Sequence, residues 1–332
     1  MDLRTSYLGL DLENPLVPSS SPLSENLDNL RRMEDAGAGA VVLHSLFEEQ
    51  IESDKNALDH YLAHGTESYA ESLTYLPEPV EYRLGVRDYL ELVRRAKEML
   101  RIPVIASVNG SARGGWVEVV RQFDQAGASA IELNLYNVEA DLARGAAQVE
   151  GQIQDIVREF RAVTTLPLAV KIGPYFTAMA NMAVGLVQAG ADGLVLFNRF
   201  YQPDIDLDHL EVRPNILLST PQAMRLPLRW VAILHGRIKA SLAATGGIHS
   251  HEDVAKMLLV GADVTMMCSA LLKNGIPYLS QVRSGLVRWM EKMEYESVSQ
   301  MKGSMSQRTC ENPSAFERAN YVKALAGYHL PA

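Results

Sequence analysis

The chain has 332 residues, 47% of them hydrophobic and 21% charged, with a formal net charge of -9, the balance of an ordinary globular protein. That acidity argues against broad contact with nucleic acid or an anionic membrane, since both need a basic surface. Cys268 and Cys310 form neither a ligand cluster nor a disulfide framework, and no apolar run is long enough to cross a bilayer, so a reducing cytoplasm with no membrane anchor is expected.

In chain order, apolar β-type runs fall at 15–20, 40–45, 103–109, 130–135, 167–173, 193–199, 241–247 and 263–270. Stretches with helical spacing separate them, as at 88–100, 116–126, 149–163 and 179–189. Ala-Gly-Ala turns at 36–38, 126–128 and 189–191 are predicted to end helices, with glycine in the left-handed cap. The strands are continuously apolar, which means burial on both faces, as in a parallel sheet. Eight of them alternating with helices predict an α/β chain folded as a (β/α)8 TIM barrel, one domain over 1–332. Insertions at about 46–87 and 200–221 break the rhythm, and a tail follows from about 295. Both insertions follow strands, so both are predicted to emerge on the catalytic face and cover a substrate.

Residues at the C-terminal ends of barrel strands are the ones placed for chemistry. Here they are Ser20, His44, Ser45, Ser107, Asn109, Asn134, Lys171, Asn198, Thr245 and Ser269, a polar mouth above an apolar core. Lys171 puts a cation at a strand end, where it should meet an anionic or electron-rich ligand, or else a carboxylate such as Glu132. Asn134 and Asn198 can each donate and accept, as recognition of a heterocycle edge requires, or could cap turns. His44 could be an acid, a base or a ligand, and no spacing around it suggests a metal. Two strand ends near the C-terminus, at 241–249 and 262–270, have the form of a barrel phosphate site. Gly246 and Gly247 should let backbone approach a ligand that a Cβ would block, and the N–H groups opening the next helix should be free to hold an anion. Met257, Met266 and Met267 are expected in the core, and His249 and His251 in solvated loop.

The chain resembles the FMN-dependent dihydroorotate dehydrogenases. Glu132-Leu-Asn-Leu135 is similar to a strand-four motif whose asparagine contacts flavin, and Val170-Lys171-Ile-Gly-Pro-Tyr-Phe176 to the strand-five segment whose lysine sits at the flavin ring. Asn198 falls at the strand-six substrate asparagine. Ala244-Thr-Gly-Gly-Ile248 and Met267-Cys-Ser-Ala-Leu271 correspond to the strand ends that bind the FMN phosphate, and Tyr295 to Gly303 resembles the segment after the last barrel helix. The resemblance implies FMN held by Ser20, Ser45, Ser107, Asn109, Asn134, Lys171, Thr245, Gly246, Gly247, Cys268 and Ser269. It also implies a homodimer, with an electron-transfer partner in some members.

The substrate half departs from the family pattern. The loop after strand four runs Asn134-Leu-Tyr-Asn-Val-Glu139, without the cysteine or serine that takes a proton from C5 of dihydroorotate. Tyr136 and His44 are the remaining acid–base candidates beside Lys171, a phenol serving as base only if its pKa falls by several units from about 10. Asn137, Asn198 and Arg199 are the substrate-binding candidates, the guanidinium able to pair with a carboxylate. The expected function is an FMN-dependent oxidoreductase acting on dihydroorotate or a related small planar acid. The alternatives are reduction of a C=C bond, a flavin-binding subunit whose own activity has lapsed, and a phosphate-binding barrel without flavin.

Overall fold

The computed structural model describes residues 1–48, 85–110, 117–199, 202–213, 217–317 and 321. Most of the first predicted insertion lies outside them. Eight parallel strands form the barrel wall: β3 (Leu16–Pro18), β4 (Val41–Phe47), β5 (Val104–Gly110), β6 (Ala130–Leu135), β7 (Leu168–Ile172), β8 (Gly193–Leu196), β11 (Ser241–Thr245) and β12 (Val264–Met267). They are ordered β3-β12-β11-β8-β7-β6-β5-β4. The ring closes between β3 and β4, where Gly39 N donates to Leu16 O at 2.8 Å. The predicted (β/α)8 architecture is therefore the observed one.

Helices return the chain between strands: α1 (Leu27–Asp35), α2 (Val86–Met99), α3 (Val117–Gln125), α4 (Ala146–Val163), α5 (Met179–Ala189), α6 (Arg225–Leu234) and α7 (His251–Val260). After β12 come the short α8 (Ser269–Asn274) and then α9 (Tyr278–Lys292). The Ala-Gly-Ala turns end helices as expected; at Gly190, with φ 114°, the N–H reaches the carbonyls of Leu186 and Val187. Each strand has two buried faces. Outward residues such as Leu43, Val108, Leu133 and Val170 pack under the helices, while inward ones such as Val42, Ile105, Ala169 and Val195 form a separate core inside the ring.

That inner core is plugged from below by a hairpin absent from the sequence reading, β1 (Thr5–Tyr7) and β2 (Leu10–Leu12). Tyr7, Leu8 and Leu12 fill the floor, where burial of each large side chain stabilises by about 1.5–3 kcal/mol. Small inward residues, Ala40, Ala130, Ala169 and Ala243, leave room for them. A second hairpin, β9 (Asp204–Asp206) with β10 (Glu211–Arg213), stands within the second insertion. It exposes Ile205, Leu207, Leu210 and Val212 to solvent.

One strand breaks the inward–outward alternation. In β4, Val42 pairs with Ile105 and the next pairing is Ser45 with Ser107, so one extra residue is accommodated as a bulge. The Tyr89 hydroxyl from α2 fills the gap, accepting from Ser107 N at 2.8 Å and donating to Ser107 O at 3.0 Å. The bulge resets the phase, and this matters for His44.

Candidate active site

The C-terminal mouth of the barrel opens into a cavity of about 760 Å³, within the range of about 300–1,000 Å³ typical of ligand and cofactor sites. It is lined by Ser20, Asn109, Asn134, Tyr136, Lys171, Asn198, Arg199, Thr245, Gly246, Gly247, Cys268 and Ser269, among others. Twelve of the predicted site residues thus meet at one place, although they come from seven different strand ends.

Lys171 stands at the floor of this cavity. It is 6% exposed and donates from Nζ to Glu132 Oε1 at 3.3 Å. Lys171 thus lines the cavity and also forms the ion pair with Glu132. Glu132 is fully buried, and its second oxygen has no hydrogen-bond partner among the described residues. Above the pair, Asn198 Nδ2 donates to Asn134 Oδ1 at 2.7 Å. Asn198 stands two residues past the end of β8, after a cis Leu196–Phe197 peptide.

The two glycines have different reasons to be glycine. Both have positive φ, 87° at Gly246 and 79° at Gly247, which side chains with a Cβ rarely adopt. A Cβ at Gly246 would meet nothing within 4 Å and would project into open space. A Cβ at Gly247 would lie 2.3 Å from Met224 N, so this glycine is required by packing against the turn Pro221–Met224 and not by ligand approach. The helix that follows, α7, is not free to hold an anion either. Ser250 accepts from Asp253 N, and the Asp253 carboxylate accepts from the N–H groups of His249 and Ser250 at 3.0 and 2.9 Å. This capping box puts the protein's own carboxylate at the helix start.

Ser219, at the end of the second insertion, completes this side of the cavity. Its N–H and hydroxyl both reach Ser269 Oγ, at 3.0 and 2.9 Å, and its hydroxyl accepts from Gly247 N at 3.3 Å. His249 Nε2 is 3.4 Å from the same hydroxyl, so His249 is tied to the site and is not a free loop residue. Sequence reasoning missed Ser219, Gln202 and Leu217, all of which line the cavity. The Ser219-Thr-Pro221 run was a legible signal, since proline at a first helical position marks a chain turning back to the barrel.

Other predicted residues stand apart from the cavity. Ser45 and Ser107 lie behind it, joined to the lining residue Ser20 by hydroxyl contacts of 3.2 Å (Ser20 to Ser45) and 2.7 Å (Ser45 to Ser107). His44 does not reach it. The β4 bulge turns its ring away from the mouth to pack edge-on against Tyr89, centroids 4.9 Å apart, with Nδ1 buried and unpaired among the described residues. Burial lowers its pKa, opposed by Glu25 and the Ser24 backbone. Asn137 is exposed and outside the lining, because the loop after β6 turns outward and is pinned by an Arg144–Glu139 ion pair. Tyr136 is the residue of that loop that lines the cavity. Cys268 also lines it; burial raises its thiol pKa, partly offset by the Lys171 charge and a hydrogen bond with Ser21. Among the described residues no group of three or more His, Cys, Asp or Glu could hold a metal ion, and no helix is long and apolar enough to cross a membrane.

The model of the dihydroorotate dehydrogenase family matches residues 2–290. The chain belongs to that family. It is thereby an oxidoreductase, in a family that is generally flavin-dependent. Three relatives illustrate its range. The chain is similar to the dihydroorotate dehydrogenase B (NAD(+)) catalytic subunit of Thermoplasma acidophilum, 28% identical over 91% of this chain and 98% of that protein. It is similar to the protein of the same name from Pyrococcus abyssi, 26% identical over 91% and 98%. It is also 26% identical to the NAD-dependent dihydropyrimidine dehydrogenase subunit PreA of Escherichia coli, over 91% of this chain and 76% of that protein. The family's dehydrogenases thus include two kinds of dihydropyrimidine substrate by name.

Proposed function

We propose that the chain is an FMN-dependent oxidoreductase that converts dihydroorotate, or a closely related dihydropyrimidine, to the unsaturated ring. The observation that carries this reading is the cavity in which a buried ammonium, a pair of asparagine amides and an unobstructed glycine face one another. These residues fit a flavin. Gly246, Thr245, Ser219 and Ser269 would hold the phosphate end, the first because a Cβ there would enter the space a ligand needs. Asn109, Asn134 and Lys171 would hold the ring, and Ser20 the wall beside it. Bound FMN supplies the hydride acceptor.

The chain's own residues do the rest. Lys171 would place positive charge where negative charge develops. Asn134 and Asn198 orient a planar ring through its donor and acceptor edge. Arg199 lines the cavity and would pair with a substrate carboxylate, which favours dihydroorotate over an uncharged dihydropyrimidine. Tyr136 is the group on the β6 loop positioned to exchange a proton with the substrate. With neither cysteine nor serine on that loop, reduction of an activated C=C bond, for which a phenol suffices as acid, is the second reading.

All three of these relatives are named as subunits, and this supports a partner protein as electron acceptor. The exposed apolar residues of the β9–β10 hairpin support a homodimer, and two unpaired cysteines suit a reducing cytoplasm. The test of the reaction is anaerobic addition of dihydroorotate to the FMN-loaded protein. Bleaching of the visible flavin bands is expected. If dihydroorotate leaves them unchanged while another reductant bleaches them, dihydroorotate is not the substrate. NAD(P)H oxidation that then requires an unsaturated acceptor would establish the second reading.

A further inference from the structure

The barrel interior holds a charge pair whose two members have different access to the cavity. Lys171 lines it, whereas Glu132 is wholly buried one inward position deeper, on β6. One proton of the ammonium goes to Glu132 Oε1, and Lys171 has two more to offer. The carboxylate is faced by Lys171 from β7, by Ser107 paired beside it on β5, and by two phenols. Tyr7 comes from the floor hairpin, with a buried hydroxyl that has no partner among the described residues; Tyr89 comes from α2, bonded to the Ser107 backbone. Burial holds both phenols neutral, and the nearby Glu132 charge adds to that effect. No carboxylate lines the cavity among the described residues, so Glu132 is the anion that compensates Lys171.

Stability alone gives no reason for such a pair. Two charges in a closed interior are often no better than apolar groups of the same volume, while either charge left alone is strongly unfavourable. A buried ammonium without its counter-ion gives up its proton and ceases to be a cation. We propose that Glu132 is a positioning residue for the cavity's chemistry: it fixes the Lys171 ammonium at the cavity floor and keeps it charged. The part of the test that uses flavin rests on the function proposed above; the part that uses cofactor-free protein does not.

Urea unfolding of the cofactor-free protein between pH 5 and 8 compares wild type, K171M and K171M/E132Q. In K171M the Glu132 carboxylate has lost its cation, so the folded state takes up a proton more readily than the unfolded chain. Linkage then makes K171M lose stability, relative to wild type, as pH rises above the ordinary glutamate range. Adding E132Q removes that dependence. A K171M profile parallel to wild type overturns the proposal.

With FMN bound, E132Q leaves the ammonium uncompensated. The preference for reduced over oxidised FMN falls about tenfold toward the K171M value, equivalent to about 30 mV for a two-electron couple. In the K171M background E132Q changes it less than about twofold, as expected when one residue acts through the other. An unchanged or increased preference in E132Q, or an equal change in both backgrounds, overturns the proposal. If E132Q does not fold, E132D retains the charge but withdraws it, and a smaller fall in the same direction is expected; no fall overturns the proposal. Wild-type protein that binds no FMN would sink the proposed function, and the urea series would still decide for or against Glu132.

Discussion

Asn198 and Asn134 are joined by one amide hydrogen bond of 2.7 Å, which ties the end of β8 to the end of β6 above the strand that carries Lys171. The bond fixes what each amide has left to offer. Asn134 keeps its two N–H donors and Asn198 keeps its carbonyl, an adjacent donor and acceptor suited to a cyclic amide. Replacing either by leucine is expected to weaken ligand binding about tenfold, near the value of one hydrogen bond of about 1–1.5 kcal/mol. The double variant should lose less than the sum, since each single change already breaks the shared bond. Calorimetric titration of the four proteins reads this; strictly additive losses would show that the amides act separately.

Gly246 and Gly247 separate binding from packing. Gly246→Ala introduces strain at φ 87° but no clash, a cost of about 1–2 kcal/mol, together with weaker binding because the methyl enters the cavity. Gly247→Ala adds a Cβ at 2.3 Å from backbone and should destabilise by about 3 kcal/mol or more. Urea midpoints of the two variants check the order. A Gly246→Ala variant as unstable as Gly247→Ala would contradict the assignment.

His44 should act on stability and not on catalysis. Its folded-state pKa is lowered, chiefly by burial, so near its ordinary value of about 6.5 the unfolded chain binds more protons than the native state. Stability is then full above that value and declines as pH falls through it. His44→Phe removes this contribution, and its stability should vary less than wild type between pH 7 and pH 5. A bell-shaped activity profile that loses one limb in His44→Phe would instead return His44 to the chemistry.

The barrel was legible because its signals are local and repeated: apolar runs of strand length, helical spacing between them, and Ala-Gly-Ala at the helix ends. Lys171, Asn134 and Asn198 were legible because a strand end has only one place to go in such a fold. His44 was misplaced because a bulge in β4 is set by the Tyr89 hydroxyl, which arrives from a helix more than forty residues away in sequence. The floor hairpin was missed because its strands are only three residues long. The N–H groups opening α7 were expected to help the two strand ends hold an anion, on a sequence that carries its own cap, Ser250 with Asp253. That Ser-x-x-Asp spacing was readable, whereas the return of Ser219 to the cavity depended on where a long insertion ends.

Cys268 offers a direct reporter of the cavity. Its thiol pKa is raised by burial, so little thiolate is present at neutral pH and alkylation there should be slow, rising steeply into the alkaline range. In Cys310→Ser protein, FMN should protect Cys268, because the side chain lines the cavity. Fast labelling at pH 7, or labelling indifferent to FMN, would count against this placement.

The most direct measurement is an equilibrium titration of cofactor-free protein with FMN, followed by flavin fluorescence, before and after alkylation of Cys268. A flavin seated between Lys171 and Gly246 predicts saturable binding of one FMN per chain that alkylation abolishes. No saturable binding, or binding unchanged once the cavity is blocked, would contradict it.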